Sequence, residues 1–259
     1  MSSAPDSLVY GNWIRVRALW VLGALALGCL ALAFAPLPVW IRLCGVVLAV
    51  GLSIAFGIPL YAYWAFSHQG GNVQERVYDT LVSALDAPSA SNALDIGAGN
   101  GVLSVKLALA MPASHVTGID SWGPAWEYAA ETCNDNARRA GVADRVEFTS
   151  ASAASLPFVA DTFDAVASNL TFHEVIDEPD KRRLVGEALR VLGNGGRFAF
   201  IDLFYDASLY GNPSEFTTAV FAFGVQEAEL VRLSDILPLP RLLLHPKVLG
   251  HAGVLFGAK

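Results

Sequence analysis

From Ala18 to Ile41 the chain runs 24 positions without a charged residue, and from Leu43 to Gln74 it carries none either. A helix rises about 1.5 Å per residue, and a bilayer core of about 30 Å takes roughly 20 apolar residues to cross. Both runs are long enough, and neither shows the polar stripe that a helix with one wet face would have. The only charge between them, Arg42, stands close to Pro36 and Pro38, residues that end helices. The pattern predicts a transmembrane helical hairpin over about residues 18–34 and 43–64. Tyr10 and Trp13 precede it, Trp40 marks its turn, and Tyr61, Tyr63 and Trp64 close it, where interfacial aromatics belong. A cleaved signal peptide is the other reading, from Arg15 and Arg17 ahead of the first run and the Ala33-Phe34-Ala35 triplet. A second apolar run follows at once, which a signal peptide does not require. Arg15 and Arg17 against Asp6 favour a cytoplasmic N-terminus, hence a cytoplasmic remainder after two spans.

These runs explain why only 16% of the 259 residues are charged, against about 25% in an ordinary soluble domain. With 14 Phe, 6 Trp and 7 Tyr, the chain has the means to bury a core, which excludes disorder. A net charge of −7 argues against a nucleic-acid partner. Three scattered Cys fit neither a disulfide framework nor a closed zinc site, and no metal-ligand spacing occurs elsewhere. Residues 1–70 hold three Arg and one Asp; residues 71–259 hold the other 14 basic and 23 acidic residues, net −9. The composition changes near Gly70-Gly71, so the expected organisation is an anchor, 1–70, and a second domain, 71–259.

Within 71–259, short apolar runs alternate with helical patterns. Helices are expected over about 73–85, 102–110, 126–140 and 180–192, and strands over 93–96, 115–119, 145–148, 163–168 and 197–201. The run Gly193-Asn194-Gly195-Gly196 reads as the stop of the last helix. Two late strands are expected near 242–244 and 250–256, with 216–225 as part of a cover over the site. This is the order of an α/β, Rossmann-like, seven-stranded and mostly parallel sheet with helices on both faces.

The first strand ends in Leu94-Asp95-Ile96-Gly97-Ala98-Gly99-Asn100-Gly101. Glycines there let backbone approach a ligand, and loops after parallel strands open on the crevice where such sheets bind. The spacing is G-x-G-x-G, not the G-x-G-x-x-G of a dinucleotide pyrophosphate site. Asp95 inside the motif would repel phosphate and attract an ammonium group. Asp120, 19 residues past Gly101 at the end of the second strand, stands where an acid holds a ribose through its hydroxyls. A cationic nucleoside without phosphates points to S-adenosyl-L-methionine.

Four blocks in order carry a resemblance: Leu94–Gly101; Val116–Asp120; Leu156-Pro157-Phe158 with Asp161–Val166; and Leu189–Asp202. Together they resemble the class I S-adenosylmethionine-dependent methyltransferases, in the broad group that includes the ubiquinone/menaquinone C-methyltransferases. The resemblance implies that Asp95, Gly97, Ala98, Gly99, Asn100 and Gly101 frame the methionine part of the cofactor and that Asp120 binds its ribose. It implies Ser121 or Trp122 beside the adenine and Asn169, closing the fourth strand, near the methionine end. Family members carry G-D-A before the L-P-F block, the Asp touching the adenine amine. This chain has Ala151-Ser152-Ala153 instead, so Ser152 and Ala153 take that place with a hydroxyl for a carboxylate.

Methyl transfer needs donor and acceptor aligned and water excluded, and a base only if the acceptor loses a proton. His173, just past the fourth strand, is the candidate base, with capping of its own loop as the alternative. Glu174 reads as an ion-pair partner, Asp202 as either a structural acid or one facing the acceptor, and Trp122, Trp126 and Tyr128 as adenine-side or packing aromatics. The function this implies is a membrane-anchored methyltransferase acting on a small, lipophilic acceptor at the bilayer. A cofactor-binding membrane module without catalysis is the second reading.

Overall fold

The computed structural model describes residues 8–123 and 128–259. Trp126, expected near the adenine, lies outside the described residues. The chain divides into two compact units. One holds Asn12–Val73 together with Pro240–Leu243; the other holds the stretch ending at Gly11, Gln74–Leu239 and Leu244–Lys259.

The first unit is built on two helices, α1 (Val16–Phe34) and α2 (Val39–Phe66). At 19 and 28 residues they measure about 28 Å and 42 Å, and both are apolar enough to cross a bilayer. Large side chains face outward, Trp20 at 76% and Val47 at 70% exposure, which in water would be an unusually large apolar surface. Where α1 and α2 approach, Gly45 leaves no room for a side chain: a Cβ there would lie 2.9 Å from the Cys29 carbonyl oxygen. Arg42 Nε donates to the Ala33 carbonyl at 2.8 Å and so satisfies one of the free acceptors at the end of α1.

The second unit is a seven-stranded sheet, as the pattern of alternating runs predicts, with its strands in the order β3-β2-β1-β4-β5-β7-β6. Its strands are β1 (Asn92–Ile96), β2 (His115–Asp120), β3 (Val146–Ser150), β4 (Phe163–Asn169), β5 (Leu192–Asp202), β6 (Glu227–Arg232) and β7 (Gly253–Ala258). β1 to β5 pair in parallel, and β7 runs antiparallel between β5 and β6. Among the helices that accompany them are α3 (Val73–Leu85), α4 (Val102–Ala110), α5 (Ala130–Arg139) and α6 (Lys181–Val191). The helices form for ordinary reasons. In α3, Val77, Leu81 and Leu85 recur every four residues and are buried, one stripe of a 3.6-residue period. In α6, Asp180 caps the first turn by accepting from the Arg182 N–H at 3.2 Å, and Leu184, Val185, Ala188 and Leu189 go into the core. That core also takes Phe198 and Phe200 of β5, with Phe172 edge-on to Phe200 at 5.4 Å.

The tail departs from the expected strands. Residues 241–244 form a 3-10 turn, because Pro238, Pro240 and Pro246 around them have no N–H to give a ladder. The sixth strand is Glu227-Ala-Glu-Leu-Val-Arg, an edge strand paired only to β7 and mixed in polarity as an edge must be. Gly193–Gly196 does not end a helix in a loop either. β5 begins at Leu192, directly after α6, and the glycines fall where its register with β4 shifts between Phe163 and Ala165. Phe216 and Val220, expected in a cover over the site, are buried, with Phe216 stacked on Phe204 at 5.4 Å.

Strand order reverses between β1 and β4, whose carboxyl ends therefore open a crevice between the loops that follow them. The candidate residues collect at that edge.

Candidate functional site

The glycine loop is held by its own backbone. The N–H groups of Gly97 and Ala98 both donate to the Ile119 carbonyl, at 2.8 and 2.9 Å, and Gly101 N–H donates to Ala98 at 2.7 Å. Gly101 then opens α4 at φ +76, in the left-handed region that favours glycine. Gly97, at φ +84, has a stricter reason to be glycine. A Cβ there would lie 1.9 Å from Thr171 Oγ1 and 2.6 Å from Thr171 Cβ, so rotating the threonine gives no relief. Thr171 is itself held by donating to the Ile96 carbonyl at 3.1 Å. Gly97→Ala is expected to destabilise the protein by about 3–5 kcal/mol, from strain plus overpacking. Denaturant unfolding checks this, and a loss under about 1 kcal/mol would mean that the loop shifts freely.

Two carboxylates flank this loop. Asp95, in β1, is fully buried; Ser104 Oγ donates to its Oδ2 at 2.6 Å, and its Oδ1 has no hydrogen-bond partner among the described residues. Burial pushes its carboxyl up to about 7, against the lowering bond from Ser104 and with some help from the charge of Asp120. Asp120 closes β2. Its Oδ2 accepts from Gly99 N–H at 2.9 Å and its Oδ1 from Trp122 N–H at 2.8 Å. Each oxygen keeps a lone pair for a further donor. Trp122 turns its indole back, Nε1 donating to the Gly99 carbonyl at 2.9 Å. It sits at φ +41, as Leu170 does at +54 after β4. Two non-glycine residues in the left-handed region, both just past strands at the crevice, are strain of the kind that collects at functional sites. Ser121, beside Trp122, is exposed.

Asn100 is buried at 6% exposure, and its carbonyl accepts from Asn136 Nδ2 at 2.8 Å. Asn136, buried in α5, also takes the backbone of Val9 in both directions, accepting from its N–H at 2.8 Å and donating to its carbonyl at 3.0 Å. The stretch ending at Gly11 is thus part of the site's surroundings: a Cβ on Gly11 would lie 2.9 Å from both Asn100 Nδ2 and the Tyr128 ring. Burial, then Glu75 and Asp79, holds the Tyr10 hydroxyl well above its usual range. Cys133, one turn before Asn136, donates weakly from Sγ to the Gly99 carbonyl at 3.1 Å. Burial, with Asp95 and Asp120 adding to it, pushes its thiol up to about 12, so it stays protonated and a donor.

Asn169 ends β4 at 8% exposure with neither side-chain atom of its amide hydrogen-bonded among the described residues. Ser152 donates to Asp177 Oδ2 at 3.1 Å and accepts from Ala154 N–H at 3.2 Å, while Ala153 goes into the core. Asp177, from another loop, thus places a carboxylate beside Ser152. His173 lies in the 3-10 turn Phe172–Glu174. Its Nδ1 is 3.0 Å from Asp202 Oδ1, its backbone N–H donates to Asp202 Oδ2 at 3.3 Å, and its Nε2 is 3.7 Å from Glu174. The His173 side chain is 20% exposed and that of Asp202 fully buried. Burial alone would lower the imidazole pKa; the charge and hydrogen bond of Asp202, then Glu174, outweigh it and hold it above 6.5.

The structure thus gathers Asp95, the glycine loop, Asp120, Trp122, Asn169 and His173 at one edge. Sequence reasoning missed Ser104, Thr171, Asn136 and Asp177. Of these only Asn136 left a trace, a polar residue on the same helical face as Cys133. The others are fixed by strand pairing and loop packing that no spacing rule encodes.

A family model, Methyltransf_25, described as a methyltransferase domain, matches residues 93–196. The chain is 34% identical over 145 residues to 27-O-demethylrifamycin SV methyltransferase of Amycolatopsis mediterranei, covering 55% of this chain and 50% of that one. It is 32% identical over 142 residues to a ubiquinone/menaquinone biosynthesis C-methyltransferase of Sinorhizobium fredii, covering 50% and 52%. The chain spans about half the length of these curated relatives. Among solved structures, geranyl diphosphate C-methyltransferase of Streptomyces coelicolor shares the fold, with TM-score 0.55 and 18% identity, over 73% of this chain and 80% of that one.

Proposed function

Because this chain carries a class I S-adenosylmethionine-dependent methyltransferase domain, we propose that it is a membrane-anchored enzyme that methylates a small, lipophilic acceptor. The observation that carries the reading is the pair of acids about the glycine loop, with one buried carboxylate oxygen on Asp95 and the whole Asn169 amide left without partners among the described residues. Buried polar atoms are rarely left so, and these fit a ligand with a cationic amine and hydrogen-bonding groups. When bound, S-adenosylmethionine supplies an activated methyl group on a sulfonium. Asp120, with a lone pair left on each oxygen, holds the ribose; Ser121, Trp122, Ser152 and Ala153 line the adenine side. Asp95, the loop residues Gly97–Gly101 and Asn169 receive the methionine part. His173, oriented by Asp202, takes the proton of a hydroxyl acceptor. Two apolar helices support anchoring, and Arg15 and Arg17 ahead of the first favour the cytoplasmic side for the catalytic domain. The anchor supports a lipophilic acceptor, since it would keep the enzyme at the membrane in which such a compound dissolves.

Two measurements test this. Purified chain given methyl-labelled donor and a lipid extract is expected to label the lipid fraction; label confined to soluble acceptors would remove the lipophilic part. Calorimetric titration with S-adenosylhomocysteine tests the cofactor site. A ligand ammonium favours ionised Asp95, so affinity is expected to rise about tenfold per unit as pH climbs toward about 7 and then level off. Asp95→Asn should bind weakly and lose that slope. The same variant should stabilise the ligand-free protein. The raised carboxyl contributes stability that is full below about pH 4 and lost as pH rises through about 7, and an amide has no charge to bury. A wild-type profile as flat as that of Asp95→Asn would take Asp95 out of the site.

A further inference from the structure

Residues 233–252, between β6 and β7, leave the sheet on the same side as the site. Arg232 and Asp202 both register with Gly253, so β6 and β5 point the same way and the connection begins at the carboxyl edge. Leu237, Leu243 and Leu249 turn inward and are buried, and Arg76 steadies the segment by donating to the Pro238 carbonyl at 2.8 Å. Ile236, Leu242 and Leu244 turn outward, at 46%, 52% and 38% exposure. From Ile236 to Lys259 there is no acidic residue, although residues 71–259 hold 23 of them. Arg241 and Lys247, both exposed, stand between and beside the outward aliphatic residues.

We propose that residues 236–247 rest on the surface of an anionic bilayer, with Ile236, Leu242 and Leu244 in the acyl boundary and Arg241 and Lys247 at phosphate level. Exposed aliphatics beside cations, in an otherwise acidic region, match that interface in both polarity and charge. Long basic side chains can lay their stems along apolar surface while their heads stay with the phosphates. The proposal rests on the reading that the two apolar helices span a membrane.

Photocrosslinking of the full chain tests it. Leu242 is replaced by p-benzoylphenylalanine, and in a second protein Val159, 78% exposed at the opposite edge ahead of β4, is replaced likewise. Each is reconstituted in vesicles of phosphatidylethanolamine with phosphatidylglycerol. Position 242 should give lipid adducts and position 159 few. Arg241→Gln and Lys247→Gln should each cut the adduct at 242 by about fivefold, and vesicles of phosphatidylcholine alone should do the same. Adducts at 242 to a second copy of the chain, or equal lipid labelling at both positions, would overturn the proposal. Extraction with alkaline carbonate separates the two readings. A chain that stays in the membrane but gives no lipid adduct at 242 defeats this inference alone. A chain released by carbonate defeats the spanning helices, and a lipid adduct at 242 would then uphold the surface contact without them.

Discussion

His173→Ala is expected to lower turnover by about 10²–10⁴-fold, on the order of 3–5 kcal/mol, with little change in the affinity for S-adenosylhomocysteine. His173 Nδ1 is hydrogen-bonded to buried Asp202 at 3.0 Å. A carboxylate there holds the proton on Nδ1 and leaves Nε2 with its lone pair, the form a general base needs. The pH dependence follows with a definite sign. Against the effect of its burial, Asp202 and then Glu174 hold the imidazole pKa above 6.5, so the acid limb of kcat/KM should lie above that value. Asp202→Asn removes the larger of those two supports, so burial prevails and the limb should move down while maximal turnover falls. The linkage to stability has the opposite sense: the ion pair is fully present below about pH 6.5 and is lost as pH rises through the raised value. A pH–rate series on the wild type and both variants is the measurement. Full turnover in His173→Ala would mean that the acceptor gives up no proton to this residue, as in transfer to a group already nucleophilic.

The second large effect is expected at Asp120. Asp120→Ala should weaken S-adenosylhomocysteine binding by about 3 kcal/mol, more than a hundredfold in Kd, because charge-assisted bonds to the two ribose hydroxyls are lost. The loop suffers as well. Gly99 N–H and Trp122 N–H lose their acceptor, and Trp122 no longer has the bond that holds it at φ +41. Asp120→Asn separates these contributions, since its amide oxygen still accepts one of the two backbone bonds; it should fold as the wild type does and lose about tenfold. Calorimetry on both variants, with circular dichroism to confirm folding, is the check. Unchanged affinity in Asp120→Ala would place the ribose elsewhere.

How far the chain could be read in advance differs from part to part. β1 and β2 are legible because each is a short apolar run with an Asp at or next to its end, and β1 runs straight into a glycine turn, a local pattern. β6 was not plain, because Glu227-Ala-Glu-Leu-Val-Arg owes its strand to β7 and has little apolar signal of its own. Leu242–Leu244 misled for the converse reason: three apolar residues resemble a strand, but prolines on both sides deny them a ladder. In the site, Asp95 and Asp120 stand next to the glycines and are recognised together. Asp202 lies 29 positions from His173 and reaches it only because β5 pairs beside β4.

The order of residues alone determined the two apolar spans, the βα alternation and the acid-flanked glycine loop, since each depends on neighbours within about twenty positions. The folded chain decided which glycine is obligatory, which asparagine holds the loop and the segment before it, and which acid holds the histidine ring. Those depend on atoms a few ångströms apart in space yet tens of residues apart along the backbone, and only the pairing of the strands brings them into contact.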